Sequence, residues 1–522
     1  MVRPMRNNVL SYLEDTVRRV PEKTAFSDGS KDYTFARIYG GSRSVGTFLH
    51  SKGLFREPVV VFMGKHPIEI IAFLGVVAAG CWYVPVDEEM PLGRIELILQ
   101  NCNARMILCD KGTCEKAKEF SFQGEICLFD DIADTPENGE VLAAIRNRAL
   151  DVDPVYVVFT SGSTGIPKGV AACHRSVIDY VEQLSKVLGF GETTVFANQA
   201  PLYFDACLKE LFPTLKFGAT TYLLPKELFL FPVKLVEFLN EHKVNTICWV
   251  ASVLSMVSSF GTFETARPKY LHTIAFGGEA FSVAQLHIWQ DCLPQASFTN
   301  LYGPTEGTGM SCYYPVSRPL GEDEMIPIGK PFPNTEILLL DEEGKPAQKG
   351  EIYIRGTCVT LGYYNDPERT AASFVQNPLH TLYPELVYRT GDVGRYNEYQ
   401  ELVFVSRKDH QIKHMGHRIE LGEVEAAASR AGEVSLCCCI YDAEKSKILL
   451  YYTGKVQPGE LTVRMKELLP RYMMPNETRR LESMPLTANG KIDRRALMER
   501  RKNGRNKGSA LGELVLGPLK EE

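Results

Sequence analysis

The residues best suited to chemistry form one run, Thr160-Ser161-Gly162-Ser163-Thr164-Gly165-Ile166-Pro167-Lys168-Gly169, directly after the apolar stretch YVVF. Its three glycines let the backbone turn tightly and present N–H groups together. Ser161, Ser163 and Thr164 add hydroxyl donors, and Lys168 adds a positive charge. That collection suits a polyphosphate. The order Pro-Lys-Gly does not fit GxxxxGK[ST], so the run is not a Walker A loop. A plain Ser/Gly turn is the competing reading, and the order of all ten residues outweighs it. Other chemical candidates are bland in isolation. Glu306 and Asp392 would pass for loop acids, and Lys491 lies in Asn-Gly-Lys, an ordinary turn tripeptide.

Elements that could position these residues follow from the apolar pattern. From about Val59 to Tyr302, short apolar runs alternate with helical patterns: PVVVFM, RMILCD, VYVVFT, TTYLLP, NTICWV and TIAFGG. Several are continuously apolar, as in strands covered on both faces. The alternation predicts an α/β fold with doubly wound parallel sheets, and ligands on such folds bind at the carboxyl ends of strands. After Pro333, TEILLLDEEGKPAQKGEIYIRG and GRYNEYQELVFVSRKD read as antiparallel hairpins of a β-rich subdomain. Beyond Asp409 come SLCCCIY, KILLYYTG and GELTVRMKELL, enough for a small α+β domain. A chain of 522 residues exceeds what one core supports. We therefore expect a large domain over 1–408, a small mobile domain over 409–500 and a charged tail or linker over 501–522, with no internal repeat.

Composition excludes several classes. The net charge of −6 offers no clustered basic face for nucleic acid. The 14 cysteines contain no CxxC pair, so free thiols in a reducing cytoplasm are expected. The N-terminal amphipathic pattern has no apolar core of a signal peptide. The apolar stretch from Ile68 to Val86 is interrupted by Glu69, Gly75, Gly80 and Pro85, which predicts a buried helix leading into a strand, not a membrane span.

TSGSTGIPKG resembles the signature of adenylate-forming enzymes: acyl-CoA synthetases, luciferases and the adenylation domains of nonribosomal peptide synthetases. The resemblance covers nearly the whole chain, in order. Tyr33-Thr34-Phe35, the stretch 75–87, Phe204-Asp205, Asn300-Leu301-Tyr302-Gly303-Pro304-Thr305-Glu306, Tyr388 to Asp392, Arg407 to Lys413, 469–475 and Asn489 to Arg494 match successive motifs. It implies the adenylate-forming fold and an AMP-forming ligase that uses ATP and Mg²⁺. Thr160 to Gly165 and Lys168 would meet the phosphates. Tyr302 would stack on adenine and Asn300 would bond its amine, with Gly278, Glu279 and Ala280 alongside. Glu306 would hold Mg²⁺, Gly303 and Thr305 would also meet ATP, and Thr305, Glu306 and Lys491 would be catalytic. Asp392 and Arg407 would meet the ribose, Lys491 would reach the carboxylate and the α-phosphate, and Asp409 would be the hinge.

The resemblance also bears on substrate and acceptor. In amino-acid-activating members an Asp after Phe binds the α-ammonium, the place held here by Asp205. The alternative is that Asp205 caps a helix starting at Ala206. The remaining pocket positions carry over to Ala206, Lys209, Trp249, Ala275, Gly277, Leu301, Gly309 and Met310. Asp205 and Lys209 are spaced i,i+4; Lys209 could pair with an acidic substrate side chain, with Asp205 itself, or face solvent. Stand-alone D-alanine–carrier protein ligases share NQAP (198–201) but carry a cysteine where Gly277 stands, which would widen this pocket. The implied reaction is formation of an aminoacyl-AMP and its transfer to the phosphopantetheine thiol of a carrier protein. No LGGxS carrier motif is present, so the carrier would act in trans or from a neighbouring domain. The family's Lys-Ile-Arg-Gly at the thiol tunnel reads Lys413-His414-Met415-Gly416. The alternatives are a D-alanine–carrier protein ligase and an acyl-CoA ligase for a non-amino acid.

Overall fold

The computed structural model describes residues 6–162, 166–409, 411–443, 445–486 and 492–503. It divides into two compact units: residues 1–88, 98–160 and 168–409 in one, and 89–97, 161–167 and the chain from residue 410 in the other.

The first unit contains three sheets. A six-stranded sheet has the order Glu125–Leu128, Met106–Cys109, Pro58–Phe62, Trp82–Val86, Pro154–Thr160, Lys168–Cys173; all neighbours are parallel except the last pair. A nine-stranded sheet runs parallel through Ser297–Tyr302, Thr273–Gly277, Thr246–Val250, Val195–Asn198, Thr220–Leu223 and Thr24–Ser27, with antiparallel strands at both edges. The apolar runs are strands for the reason their composition suggests. Every residue of Pro58–Phe62, Trp82–Val86, Thr246–Val250 and Thr273–Gly277 is buried, because helices or the second sheet cover both faces. The stretch after Ile68 is a buried helix, Pro67–Ala78, followed by the strand Trp82–Val86.

The main core lies between the two parallel sheets. Val59, Tyr83 and Tyr156 from one meet Phe196, Leu223, Cys248, Ala275 and Leu301 from the other, with the helices His174–Leu188 and Leu208–Phe217 adding Tyr180, Val181, Leu208 and Leu211. A second core covers the opposite face of the nine-stranded sheet around Trp249, Phe276 and Trp289. The third sheet is antiparallel throughout: Thr335–Leu340, Lys349–Gly356, Leu386–Tyr396 and Phe374–Gln376, with Leu402–Arg407 against Leu386–Tyr396.

In the second unit the hairpin Gln411–His414 and His417–Glu420 turns at Met415 and Gly416, both at positive φ. The helix Leu421–Ala431 and the sheet Val434–Asp442, Lys447–Gly454 and Glu477–Arg480 share a core with Leu461 and Met465. The end of the chain differs from expectation. A helix spans Arg494–Asn503, and Arg501, expected in the tail, is buried and pairs with Asp442 at 2.8 Å. Leu497 seals the sheet's other face, and that anchor carries the helix past it. Among the described residues no helix is long and apolar enough to cross a membrane.

Candidate active site

Thr160 ends one strand of the six-stranded sheet and Lys168 begins its antiparallel neighbour, the two directly opposed. The hydroxyl of Thr160 is buried and has no hydrogen-bond partner among the described residues. The Lys168 ammonium reaches Glu306 at 3.0 Å, and the two side chains are 10% and 0% exposed. Glu306 lies in the 3-10 turn Thr305–Gly307, after the carboxyl end of Ser297–Tyr302. Tyr363 closes the group: its hydroxyl donates to Glu306 at 2.7 Å and accepts from Lys168 at 3.1 Å. Tyr363 was not among the residues expected here. The Gly-Tyr-Tyr-Asn-Asp run (362–366) was its available signal, but nothing local ties it to residues 168 and 306.

A second buried chain of polar groups adjoins the same strand. Tyr302 donates its hydroxyl to one carboxylate oxygen of Asp392, and Arg407 donates to the other. Arg407 also donates to the Thr390 carbonyl and holds both carboxylate oxygens of Asp409, at 2.6 and 2.7 Å. Burial first, then the Asp392 carboxylate, keeps the Tyr302 phenol well above its ordinary pKa, so it stays a donor. Asn300 is buried, with its amide nitrogen held by the Pro327 carbonyl at 2.8 Å. Gly278 turns the chain out of Thr273–Gly277 at φ +84°. Glu279 accepts from the Ser252 N–H at 2.8 Å, and Ala280 is exposed.

Ser161 and Gly162 belong to the second unit, and there their donors are engaged. The Ser161 hydroxyl donates to the Arg418 carbonyl at 2.7 Å, and the Gly162 N–H donates to Glu423 at 3.2 Å. Glu423 is buried and paired with Arg94. Ser163, Thr164, Gly165 and Lys491 lie outside the described residues.

Asp205 opens the 3-10 turn Asp205–Cys207, and the α-helix begins only at Leu208. Neither element has a side-chain cap, so the helix-cap alternative for Asp205 is corrected. The segment before it is anchored by Lys65, whose three ammonium donors reach the carbonyls of Asn198 (2.9 Å), Gln199 (3.2 Å) and Leu224 (3.1 Å). One cation from the six-stranded sheet's loops thus ties down two strand ends of the nine-stranded sheet. Burial pushes the Lys65 pKa down to about 7. The next anchor is Asn198, which donates to the buried Glu210 at 3.2 Å; burial pushes that carboxyl up to about 7.

Strand parity sorts the pocket positions. Cys248 registers with Ala275 and Trp249 with Phe276, and successive side chains alternate faces. Ala275, Leu301 and Met310 lie in the core between the sheets, as does Cys248, whereas Trp249 lies in the core on the opposite face and donates its indole N–H to the Ala197 carbonyl at 2.7 Å. The assignment of Trp249 to the pocket is corrected: Cys248 holds that side. Gly277 also has a different role from the one expected. A Cβ there would stand 2.1 Å from the Leu301 carbonyl oxygen, so glycine permits the strands' approach and leaves no widened space. Lys209 is 2% exposed and forms no ion pair with Asp205. Ala206 is half-buried, and Gly309 sits at φ +89° with its missing Cβ 3.2 Å from the Tyr180 ring.

Comparison with known proteins identifies the family and the fold. The profile of the AMP-binding enzyme family matches residues 13–364. Tyrocidine synthase 3 of Brevibacillus parabrevis is 32% identical over 503 residues, 95% of this chain and 8% of that protein. Tyrocidine synthase 1 of the same organism is 29% identical over 94% of this chain and 45% of its own length. The chain therefore spans less than half the length of these relatives. Among solved structures, a holo NRPS protein containing adenylation and PCP domains, bound to a vinylsulfonamide inhibitor, superimposes with a TM-score of 0.82 at 26% identity, covering 94% of this chain and 84% of that one. The Vibrio cholerae adenylation domain AlmE, in complex with glycyl-adenosine-5'-phosphate, shares the fold with a TM-score of 0.83 at 21% identity, covering 96% and 99%.

Proposed function

The chain belongs to the AMP-binding enzyme family, and from that premise we propose that it activates an α-amino acid as an aminoacyl-AMP and passes it to a carrier-protein thiol. In the first step a substrate carboxylate oxygen attacks the α-phosphorus of ATP; the new O–P bond replaces the bond to pyrophosphate, which leaves. In the second the phosphopantetheine sulfur attacks the acyl carbon, and AMP departs with the C–O electron pair. The similar NRPS protein contains adenylation and PCP domains, which supports a carrier in trans or from a neighbouring domain.

The single observation that carries the reading is the buried array Lys168–Tyr363–Glu306 beside the unpartnered Thr160 hydroxyl. Two anions must meet in the first step, and preorganised positive charge and donors stabilise that meeting. Lys168 and Thr160 would meet the phosphates. Mg²⁺ bound with ATP supplies further charge neutralisation; Glu306, a fully buried oxygen donor of the hard type that ion takes, fits it. Asn300, its nitrogen already held by Pro327, would accept from the adenine amine through its oxygen. Tyr302, its hydroxyl pinned by Asp392, would offer a fixed ring face to the base. Asp392 and Arg407 would meet the ribose, and Asp205 the α-ammonium.

Lys491 would enter between carboxylate and α-phosphate from a domain of about 409–500, rotating at Asp409. A reducing cytoplasm suits its unpaired thiols. Amino-acid-dependent exchange of labelled pyrophosphate into ATP tests the proposal. We expect exchange with at least one amino acid and its loss in Lys491→Ala. Thioester formation on CoA, with no amino acid supporting exchange, would replace this reading with an acyl-CoA ligase.

A further inference from the structure

An ammonium has three donors, and where all three meet backbone carbonyls one side chain can join segments that no side-chain pair links. Lys65, just past the strand Pro58–Phe62, does this for the carbonyls of Asn198, Gln199 and Leu224, at 2.9, 3.2 and 3.1 Å. Asn198 and Leu223 are the last residues of a parallel pair, and the Asn198 carbonyl also accepts the Leu224 N–H at 3.1 Å. The clasp therefore extends the pairing of these strands past their ends. It fixes where the chain leaves the sheet on its way to Asp205.

Lys65 is itself held from both sides. The Gly64 N–H donates to Asp110 at 2.8 Å, Asp110 accepts from the Thr113 N–H at 2.9 Å, and the Thr113 hydroxyl returns to the Phe62 carbonyl at 2.6 Å. The His66 Nε2 lies 2.8 Å from Asp28, and its Nδ1 accepts from the Ile68 N–H at 3.2 Å. Between the clasp and Asp205 there is little slack. Pro201 has a fixed φ, and its carbonyl accepts from the Phe204 N–H at 3.3 Å. The Cys207 N–H donates to the Phe204 carbonyl at 3.2 Å, and the Cys207 thiol to the Leu202 carbonyl at 3.6 Å. The far end of the segment is held by one bond, from the Asn198 amide nitrogen to Glu210 at 3.2 Å. The Asn198 amide oxygen and the second oxygen of Glu210 have no partner among the described residues. Three bonds hold the near end, so Lys65 is the stronger of the two fastenings.

We propose that Lys65 is a positioning residue for Asp205. Without touching substrate, it holds that carboxylate where an α-ammonium docks, and so sets the preference for an amino acid over the same acid lacking its amine. The inference rests on amino-acid activation as the function, with Asp205 meeting the ammonium. Lys65 lies outside every matched motif and follows a strand of the other parallel sheet. An aspartate displaced by about 1 Å keeps its charge but loses its aim, and such a shift can cost up to about a hundredfold.

Pyrophosphate exchange tests it, measured for the best amino acid and for its des-amino analogue as a ratio of kcat/KM. Lys65→Met keeps the apolar stem and removes the donors. The ratio should fall about tenfold to a hundredfold, through the KM for the amino acid. The KM for ATP should stay within about twofold, because the bonds of Lys65 go to residues 198, 199 and 224 and not to the Lys168–Tyr363–Glu306 array. Asp205→Ala should lower the same ratio, and adding Lys65→Met to it should change the ratio by no more than about twofold, the non-additivity of two groups acting as one. Lys65→Gln retains two donors and serves where the methionine variant does not fold; its ratio should fall about threefold to tenfold. An unchanged ratio with only a lowered Tm, or an equal fall with and without Asp205, would overturn the inference and leave amino-acid activation standing. So would an Asp205→Ala chain that keeps the wild-type ratio. No exchange with any amino acid would remove amino-acid activation itself and the inference with it.

Discussion

Tyr363→Phe removes one hydroxyl and leaves the ring in place. That hydroxyl bridges Glu306 and Lys168 at 2.7 and 3.1 Å, while the direct Lys168–Glu306 contact at 3.0 Å and the Lys168 ammonium 4.7 Å from the ring centroid survive. A hydrogen bond to a charged group contributes about 1.5–3 kcal/mol. Because both charges keep each other, the loss should fall near the low end, about 2 kcal/mol for the pair of bonds together. If the array is aimed at phosphates, that energy is missing from the transition state, and kcat/KM for ATP falls about thirtyfold. The assay is pyrophosphate exchange with ATP and magnesium varied, beside a thermal melt. An exchange rate within about twofold of wild type, with a lowered Tm, would refute the reasoning: the array would then be a structural brace. Glu306→Gln should be more severe, because it leaves the Lys168 ammonium in a buried site without its counter-charge, a loss of about 3–5 kcal/mol.

Three further outcomes concern stability. Gly277→Ala should cost about 1–3 kcal/mol in urea unfolding, since its Cβ meets the Leu301 carbonyl at 2.1 Å; an unchanged midpoint would mean the strands can part freely. His174 is buried against Asn8 and the Val9 N–H, and burial, then Arg146, lowers its pKa to about 3. A depressed pKa gives stability that is present above the ordinary histidine range and is lost as pH falls toward 3. Denaturant midpoints from pH 6.5 downward should show a slope approaching about 1.4 kcal/mol per pH unit that His174→Gln lacks. Glu210 has the opposite sign: its pKa is raised to about 7, so its contribution is full below the ordinary carboxylate range and fades as pH rises from 4.5 to 7. Midpoints compared with Glu210→Gln, which does not titrate, should converge downward over that window, and a flat difference would show that the carboxyl is not held protonated.

The sequence alone determined the family and most of the fold, because both are written in local patterns. Continuous apolar runs mark strands covered on both faces, and the ordered motifs from Thr160 to Lys491 carry the family resemblance. It also supplied Asp205, Glu306, Asp392 and Arg407, but only as members of that series. Tertiary structure decided what no spacing encodes. Tyr363 bridges Lys168 and Glu306 across almost 200 residues of chain, and the Tyr180 ring packs at Gly309 from a helix that carries no motif. The face on which Cys248 or Trp249 lies depends on register, since a shift of one residue in a strand exchanges every side chain between faces. Gly277, legible as space for a substrate, turned out to be space already filled by a neighbouring carbonyl. A sequence lists the groups, and only packing tells which of them remain without a partner.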